Sequence, residues 1–192
     1  MATRRQFITQ VSSLIGLGMV SPLVFGASAL PQWLSSDSDD DSSTPAPLYM
    51  PEESRPNVRT FMAFGAQTSI WRDWTPAVQE CLGLVARTIA QREPLTILCR
   101  DSELDLAQQT CGTDNTRFIT TDLDDIWMRD IGANFVIGGN GALGAVDFNF
   151  NGWGGKQEHD MDAQVARTVS DDAGAQYIRS AFTGEGGGIE VY

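Results

Sequence analysis

From residue 48 onward, strand-length apolar runs alternate with stretches whose apolar residues recur at helical spacing, and this alternation points to an α/β fold rather than an all-β one. Residues 60–66 (TFMAFGA) make a short apolar run suited to a buried strand. Thr75 and Pro76 then mark a helix start, with Thr75 as N-cap and Pro76 in the first turn, and Val78, Leu82, Val85 and Ile89 share one face. Leu95–Cys99 (LTILC) is a second buried strand between Pro94 and the Arg100-Asp101 pair. Residues 104–110 predict a short helix and Thr116–Thr120 a strand, and residues 134–137 and 142–148 a strand pair joined through Gly138, Gly139, Asn140 and Gly141. Met161, Val165 and Val169 mark another helical face that stops at Gly174, and Gln176–Arg179 reads as a last strand.

With 42% hydrophobic residues and a net charge of -12, the 192-residue chain can bury one core. A pI near 4.3, with no cluster of Lys and Arg beyond the first residues, argues against nucleic acid as a partner. At the N-terminus, Arg4, Arg5 and Phe7 precede an apolar stretch over residues 11–30 that is short and broken by Gly and Ser. It resembles a bacterial twin-arginine signal, with Ala27, Ser28 and Ala29 as a small-x-small processing site and cleavage after Ala29. Residues 1–29 are therefore expected to direct export to the periplasm or beyond, leaving no stable membrane anchor; the alternative is a short amphipathic helix that stays attached. Residues 30–47 read as a disordered acidic linker, because SSDSDDDSSTPAP buries too little apolar surface to offset chain entropy. Calcium is not expected there, since no Gly turn or terminal Glu follows in loop spacing. The folded domain is expected over residues 48–192.

The cysteines are odd in number and lack metal-ligand spacing, and no cofactor or metal is expected. Cys81 on a helix and Cys99 on a buried strand read as core packing, with a disulfide as the alternative. His159, the single histidine, sits in KQEHDMD and reads as a solvated or capping residue.

Three segments carry candidate chemistry: DDIWMRDIGAN at 124–134, DFNFNGWGGK at 147–156 and GEGGGIEV at 184–191. A guanidinium ion is planar, permanently charged and rich in donors, so a site for it needs carboxylates placed for in-plane hydrogen bonds, with aromatic walls. Asp130 is the first such carboxylate and Glu185 the second; alone, each would read as a turn residue. Asp125, Trp127, Arg129 and Trp153 form an outer set, Arg129 holding the loop, Trp153 reading equally well as lining the site or filling the core, and Trp127 reading rather as core or interface filler. Lys156 is expected to pair with a neighbouring acid.

In this order, and with MPEES at 50–54, the segments resemble the agmatine deiminase family, relatives of peptidylarginine and arginine deiminases. The resemblance implies a five-bladed α/β propeller, the pentein fold, of ββαβ modules, with about two modules and the start of a third present. It implies that Asp130, in the W-x-R-D motif, and Glu185, in the E-G-G motif, grip a small guanidino substrate. In that chemistry a cysteine thiolate attacks the guanidine carbon of agmatine, ammonia leaves, and water releases N-carbamoylputrescine, a step toward putrescine. The family's nucleophilic cysteine and H-x-D histidine fall beyond residue 192, so the expectation is an inactive fragment exposing an apolar module interface. A full-length chain could form a homo-oligomer. The alternatives are a non-catalytic guanidino-cation binder and a deiminase of arginine or peptidylarginine. Phe61 and Gly65 stand where relatives commonly have Trp and Pro, and Ile131 and Ala133 alter the usual D-T-G-P, departures that bear on the substrate. Tyr192 stands where Asp or Asn is common.

Overall fold

The computed structural model describes residues 47–191; the expected leader at 1–29 and all but Pro47 of the expected linker lie outside the described residues. Two sheets organise the rest. In the first, β2 (Thr60–Phe64), β3 (Leu95–Cys99) and β4 (Thr116–Thr120) run parallel, with Thr60 opposite Leu95 and Leu95 opposite Thr116. The crossovers are the helices α2 (Thr75–Ala90) and α3 (Leu104–Cys111), preceded by the short α1 (Thr68–Trp71). In the second sheet the order is β1 (Leu48–Tyr49), β5 (Asn134–Gly138), β6 (Leu143–Asp147), β7 (Gln176–Arg179). The β5–β6 hairpin is antiparallel, and α6 (Val165–Ala173) carries the chain over to β7, parallel to β6. This second unit has the expected ββαβ order, whereas the first is a parallel βαβαβ unit.

Side chains on successive strand residues point to opposite faces. Phe64, Leu95, Ile97 and Cys99 accordingly pack with Ala86, Ala107 and Cys111 of α2 and α3, while Ala63 and Leu98 pack with Leu123, Ile131, Phe150, Val165 and Val169. Covered on both faces, all five residues of β3 are buried. At the end of α6, Gly174 takes the left-handed conformation (φ 62°, ψ 28°) that closes a helix without a Cβ penalty. Asp172 of α6 accepts ion pairs from Arg59 (3.2 Å) and Arg117 (2.5 Å), tying the second unit to the first. No helix among the described residues is long and apolar enough to cross a membrane.

Three sequence expectations shift. Thr75 is the first helical residue rather than the N-cap; Trp74 holds that place, and the Thr75 hydroxyl donates to the Arg72 carbonyl at 2.8 Å. On α2, Val85 is 47% exposed, because the helix meets α3 at Gly83, where a Cβ would stand 2.5 Å from the Thr110 carbonyl oxygen. That close crossing turns Gly83 and Ala86 inward and leaves Val85 at the edge. Cys81 lies off the same line, so it is exposed and not part of the core, whereas Cys99 is buried. All three thiols are free.

Candidate active site

Past β4 the chain runs through buried Leu123, Asp124 and Asp125 and then makes the single turn α4 (Met128–Ile131). Ile131, only 1% exposed, anchors this turn in the core, while Asp130 beside it is half-buried. Its carboxylate receives two neutral donors: the Trp153 indole Nε1 at 3.1 Å on Oδ2 and the Gly187 backbone N–H at 2.9 Å on Oδ1.

Both donors come from glycine-rich turns. In the turn α5 (Gly152–Gly155), Gly152, Trp153, Gly154 and Gly155 all have positive φ, Trp153 at 56°. A non-glycine residue there costs of order 1–3 kcal/mol and persists only where its surroundings fix it. They do: the indole meets Trp127 edge-on at 5.9 Å and Phe150 at 4.9 Å, and Asn151 Oδ1 accepts from Gly154 N at 2.8 Å. The 186–188 turn docks directly on α4. A Cβ at Gly186 would lie 2.3 Å from the Arg129 carbonyl oxygen, and one at Gly187 would lie 2.2 Å from Asp130 Oδ1. Glu185, half-buried, immediately precedes this turn, and its carboxylate accepts no hydrogen bond from any described residue. Asp130, Trp153 and the Glu185 loop are thus brought together, although 57 positions separate Asp130 from Gly187.

Asp125 is placed differently. It is 1% exposed and accepts from Trp71 Nε1 (2.6 Å), Trp127 Nε1 (2.8 Å) and Gln157 Nε2 (3.0 Å), which fixes the Trp127 indole that packs on Trp153. Trp71 and Trp127 stack with ring centroids 6.3 Å apart. Trp127 therefore bridges the two carboxylates, bonded to Asp125 and packed on Trp153. Arg129 turns outward to an exposed ion pair with Glu53 of the MPEES segment.

A second pair of carboxylates locks the loops from below. Asp162 accepts from Asp124 N (2.9 Å) and Asp125 N (3.1 Å), and Asp124 accepts from Met161 N (2.8 Å) and Asp162 N (3.1 Å). Burial pushes the Asp162 carboxyl up from 3.8 to about 6; the backbone N–H groups of Asp124 and Asp125 pull the other way, and the charges of these two acids add to the rise. His159 packs edge-on against Phe150, and its Nδ1 lies 2.9 Å from the Gln157 carbonyl oxygen, so it serves the loop. Lys156 makes no ion pair among the described residues, which leaves its expected acidic partner unmet there. Cys99 and Cys111 belong to the cluster under α2 and α3, and burial pushes both thiols up to about 11. No group of three or more His, Cys, Asp or Glu among the described residues is arranged to hold a metal ion.

Sequence reasoning missed Trp71, Gln157, Asp124, Asp162 and Glu53 as parts of this assembly. Trp71 lies 54 positions before Asp125, and no local pattern links them. For Gln157, the one available cue was its place directly after NGWGGK.

Residues 49–192 match the family model described as Porphyromonas-type peptidyl-arginine deiminase. The chain is 36% identical over 150 residues to the agmatine deiminase of Ectopseudomonas mendocina, covering 75% of this chain and 41% of the relative. It is 37% identical over 150 residues to that of Stutzerimonas stutzeri, covering 74% and 40%. Among solved structures, the agmatine deiminase of Enterococcus faecalis superposes with a TM-score of 0.69 at 28% identity, over 75% of this chain and 41% of that one. The chain spans about two fifths of the length of the curated relatives it matches. With a matching family model over three quarters of its length, the chain belongs to the Porphyromonas-type peptidyl-arginine deiminase family, as the two agmatine deiminases above indicate as well.

Proposed function

We propose that the chain holds the guanidinium of an agmatine-like substrate as the N-terminal part of an exported agmatine deiminase. The observation that carries this reading is the Asp130 carboxylate, held by Trp153 Nε1 and Gly187 N next to Glu185, whose carboxylate has no hydrogen-bond partner among the described residues. Both donors are neutral, so the negative charge of Asp130 stays uncancelled, and two carboxylates beside an indole wall suit a planar cation. In the full reaction, water replaces one guanidine nitrogen, giving N-carbamoylputrescine and ammonia. Asp130 and Glu185 orient the guanidine carbon for a thiolate, and the two sheets are successive parts of an α/β propeller around that carbon.

The thiols present here do not serve as that nucleophile. Cys99 and Cys111 sit in the other hydrophobic cluster, and Cys81 lies exposed on α2. By itself the chain is therefore expected to bind agmatine without releasing ammonia, and this same observation favours, as the second reading, a guanidino-cation-binding protein without turnover. Isothermal titration with agmatine, arginine and a peptidylarginine ranks the substrates, run beside an ammonia-release assay. Asp130→Asn should weaken agmatine binding roughly ten- to a hundredfold, the equivalent of one charge-assisted hydrogen bond. Undiminished affinity in that variant would overturn the guanidinium assignment, and turnover lost on substituting Cys81, Cys99 or Cys111 would overturn the assignment of the nucleophile elsewhere. Export by the twin-arginine route is the reading of residues 1–29. Replacing Arg4 and Arg5 by Lys should keep a reporter fusion in the cytoplasm, and unchanged export would refute that route.

A further inference from the structure

The crossover helix α2 is apolar on two opposite faces. One packs inward: Gly83 and Ala86 are buried, and Leu82 and Ile89 pack against the cluster that holds Leu95 and Ile97 of β3. The other looks into solvent, where Trp74 at the helix start is 63% exposed, Leu84 61% and Val85 47%, with Ala77, Cys81 and Thr88 exposed between them. These six recur at three- and four-residue steps, so they form one stripe along the helix, and no charged residue interrupts it. The Thr88 hydroxyl donates to the Leu84 carbonyl at 2.7 Å, which leaves its methyl group to the stripe. A surface helix is polar opposite its buried face as a rule, and one that is apolar on both sides is covered on both.

The place of the stripe narrows what can cover it. On one side of the β2–β3–β4 sheet, Ala63 and Leu98 pack with Leu123, Ile131 and Val165; α2 and α3 cover the other side. The outward face of α2 is therefore an outermost layer, turned away from the Asp130 loop, and a segment packed around that loop would leave it bare. The stripe also complements itself. With a twofold axis at Cys81 and the helices antiparallel, each residue before Cys81 meets one equally far after it. Trp74 then meets Thr88 and Ala77 meets Val85, large against small. Along one flank, seven residues apart, lie exposed Glu80 and Arg87, neither of which makes an ion pair among the described residues. Antiparallel helices bring like flanks together, so Glu80 of one copy faces Arg87 of the other, twice across the axis. A parallel pair would instead set Trp74 against Trp74 and keep the two charges on opposite flanks.

We propose that the outward face of α2 is a homodimer contact, in which two copies of the helix pack antiparallel about Cys81. The 16 residues of α2 make a face about 24 Å long and about 10 Å wide. That is less than the roughly 800 Å² per partner of a standard interface, so the dimer forms with concentration and is not obligate. The contact is separate from the Asp130 loop and does not depend on the deiminase reading.

The test is sedimentation velocity of the full chain between about 1 and about 100 µM, with circular dichroism to confirm that each variant is folded. The chain should pass from monomer to dimer as concentration rises. Leu84→Glu, at an exposed position, should raise the dissociation constant at least roughly tenfold. Glu80→Lys sets like charges across the axis and should raise it roughly threefold or more, with a larger effect at low salt. A short bismaleimide should join two chains through Cys81, since Cys99 and Cys111 are buried, and Cys81→Ser should abolish the link but not the dimer. A monomer at every concentration overturns the proposal. Self-association that Leu84→Glu leaves unchanged also overturns it, and places the contact elsewhere, the leader included. A dimer that the reagent does not join at Cys81, or that is indifferent to Glu80→Lys, would overturn the antiparallel register.

Discussion

Asp162→Asn tests whether the lock beneath the site is governed by burial or by hydrogen bonding. The Asp162 side chain is fully buried, with no ion pair among the described residues, and its oxygens take the backbone N–H groups of Asp124 and Asp125. Burial opposes the carboxylate form and the N–H groups favour it; the rise from 3.8 to about 6 says that burial wins. A carboxyl whose pKa is raised by folding binds more protons in the folded chain than in the unfolded one between those two values. Stability must therefore fall as pH rises through that window and level off above it. At roughly 1.4 kcal/mol per pKa unit, the carboxyl costs the folded chain about 3 kcal/mol near pH 7 and about half of that near pH 5. The amide cannot titrate, so whatever constant offset it introduces, the stability gap should move in favour of the variant by about 1–2 kcal/mol as the pH rises from 5 to 7. Urea unfolding of both proteins at the two pH values reads the gap directly, and the carboxylates remote from Asp162, common to both chains, cancel in the difference. A gap that stays constant would refute the raised pKa. A carboxyl held below 3.8 by the N–H groups would also leave the gap constant between pH 5 and 7, and would show itself only at lower pH, where the wild type would lose stability relative to the variant.

Trp153→Phe keeps the aromatic wall but removes the donor to Asp130 Oδ2, so agmatine affinity by titration should fall roughly tenfold; unchanged affinity would show that the indole only packs. Gly65→Ala forces a Cβ to within 2.2 Å of the Asp125 carbonyl oxygen, backbone that cannot swing aside, and should lower stability by roughly 1–3 kcal/mol in urea unfolding. With Cys99 and Cys111 buried and their thiols pushed up to about 11, a thiol reagent at mildly alkaline pH should label Cys81 alone in the native chain; fast labelling of a second cysteine would contradict this burial.

Much of the fold was legible because each element advertises itself locally. Leu95–Cys99, Thr116–Thr120 and Gln176–Arg179 are strands with the bounds that their apolar runs and flanking turn residues suggest. What failed depended on how elements meet. The helical spacing of Val78, Leu82, Val85 and Ile89 is real, but Gly83 lets α3 approach so closely that the contact line rotates away from Val85 and Cys81. The site divides in the same way. Asp130, Trp153 and Glu185 sit in recognisable segments, and the structure brings those segments together. The supports do not announce themselves, because Trp71 with Asp125, or Asp124 with Asp162, are polar contacts between distant segments that leave no periodic trace. Burial of polar groups is legible only after folding, when every acceptor must be matched.

The manner of that matching bears on function. Asp125 is held by two indoles and an amide, Asp130 by an indole and a backbone N–H, Asp124 and Asp162 by backbone N–H groups, and Asp147 by the Tyr177 hydroxyl at 2.5 Å and Asn149 N. Among the described residues none of these five carboxylates pairs with a cation. Neutral donors satisfy oxygen lone pairs without cancelling charge, whereas a lysine or arginine at about 4 Å would supply about 4 kcal/mol of attraction at an effective dielectric near 20 and leave little field behind. Arg129, next to Asp130 in sequence, is drawn outward to Glu53 instead. Asp124, Asp125, Asp130 and Asp162 thus keep their charge near the aromatic wall and glycine turns with no cation among the described residues beside them, and it is on this arrangement that the proposed guanidinium binding rests.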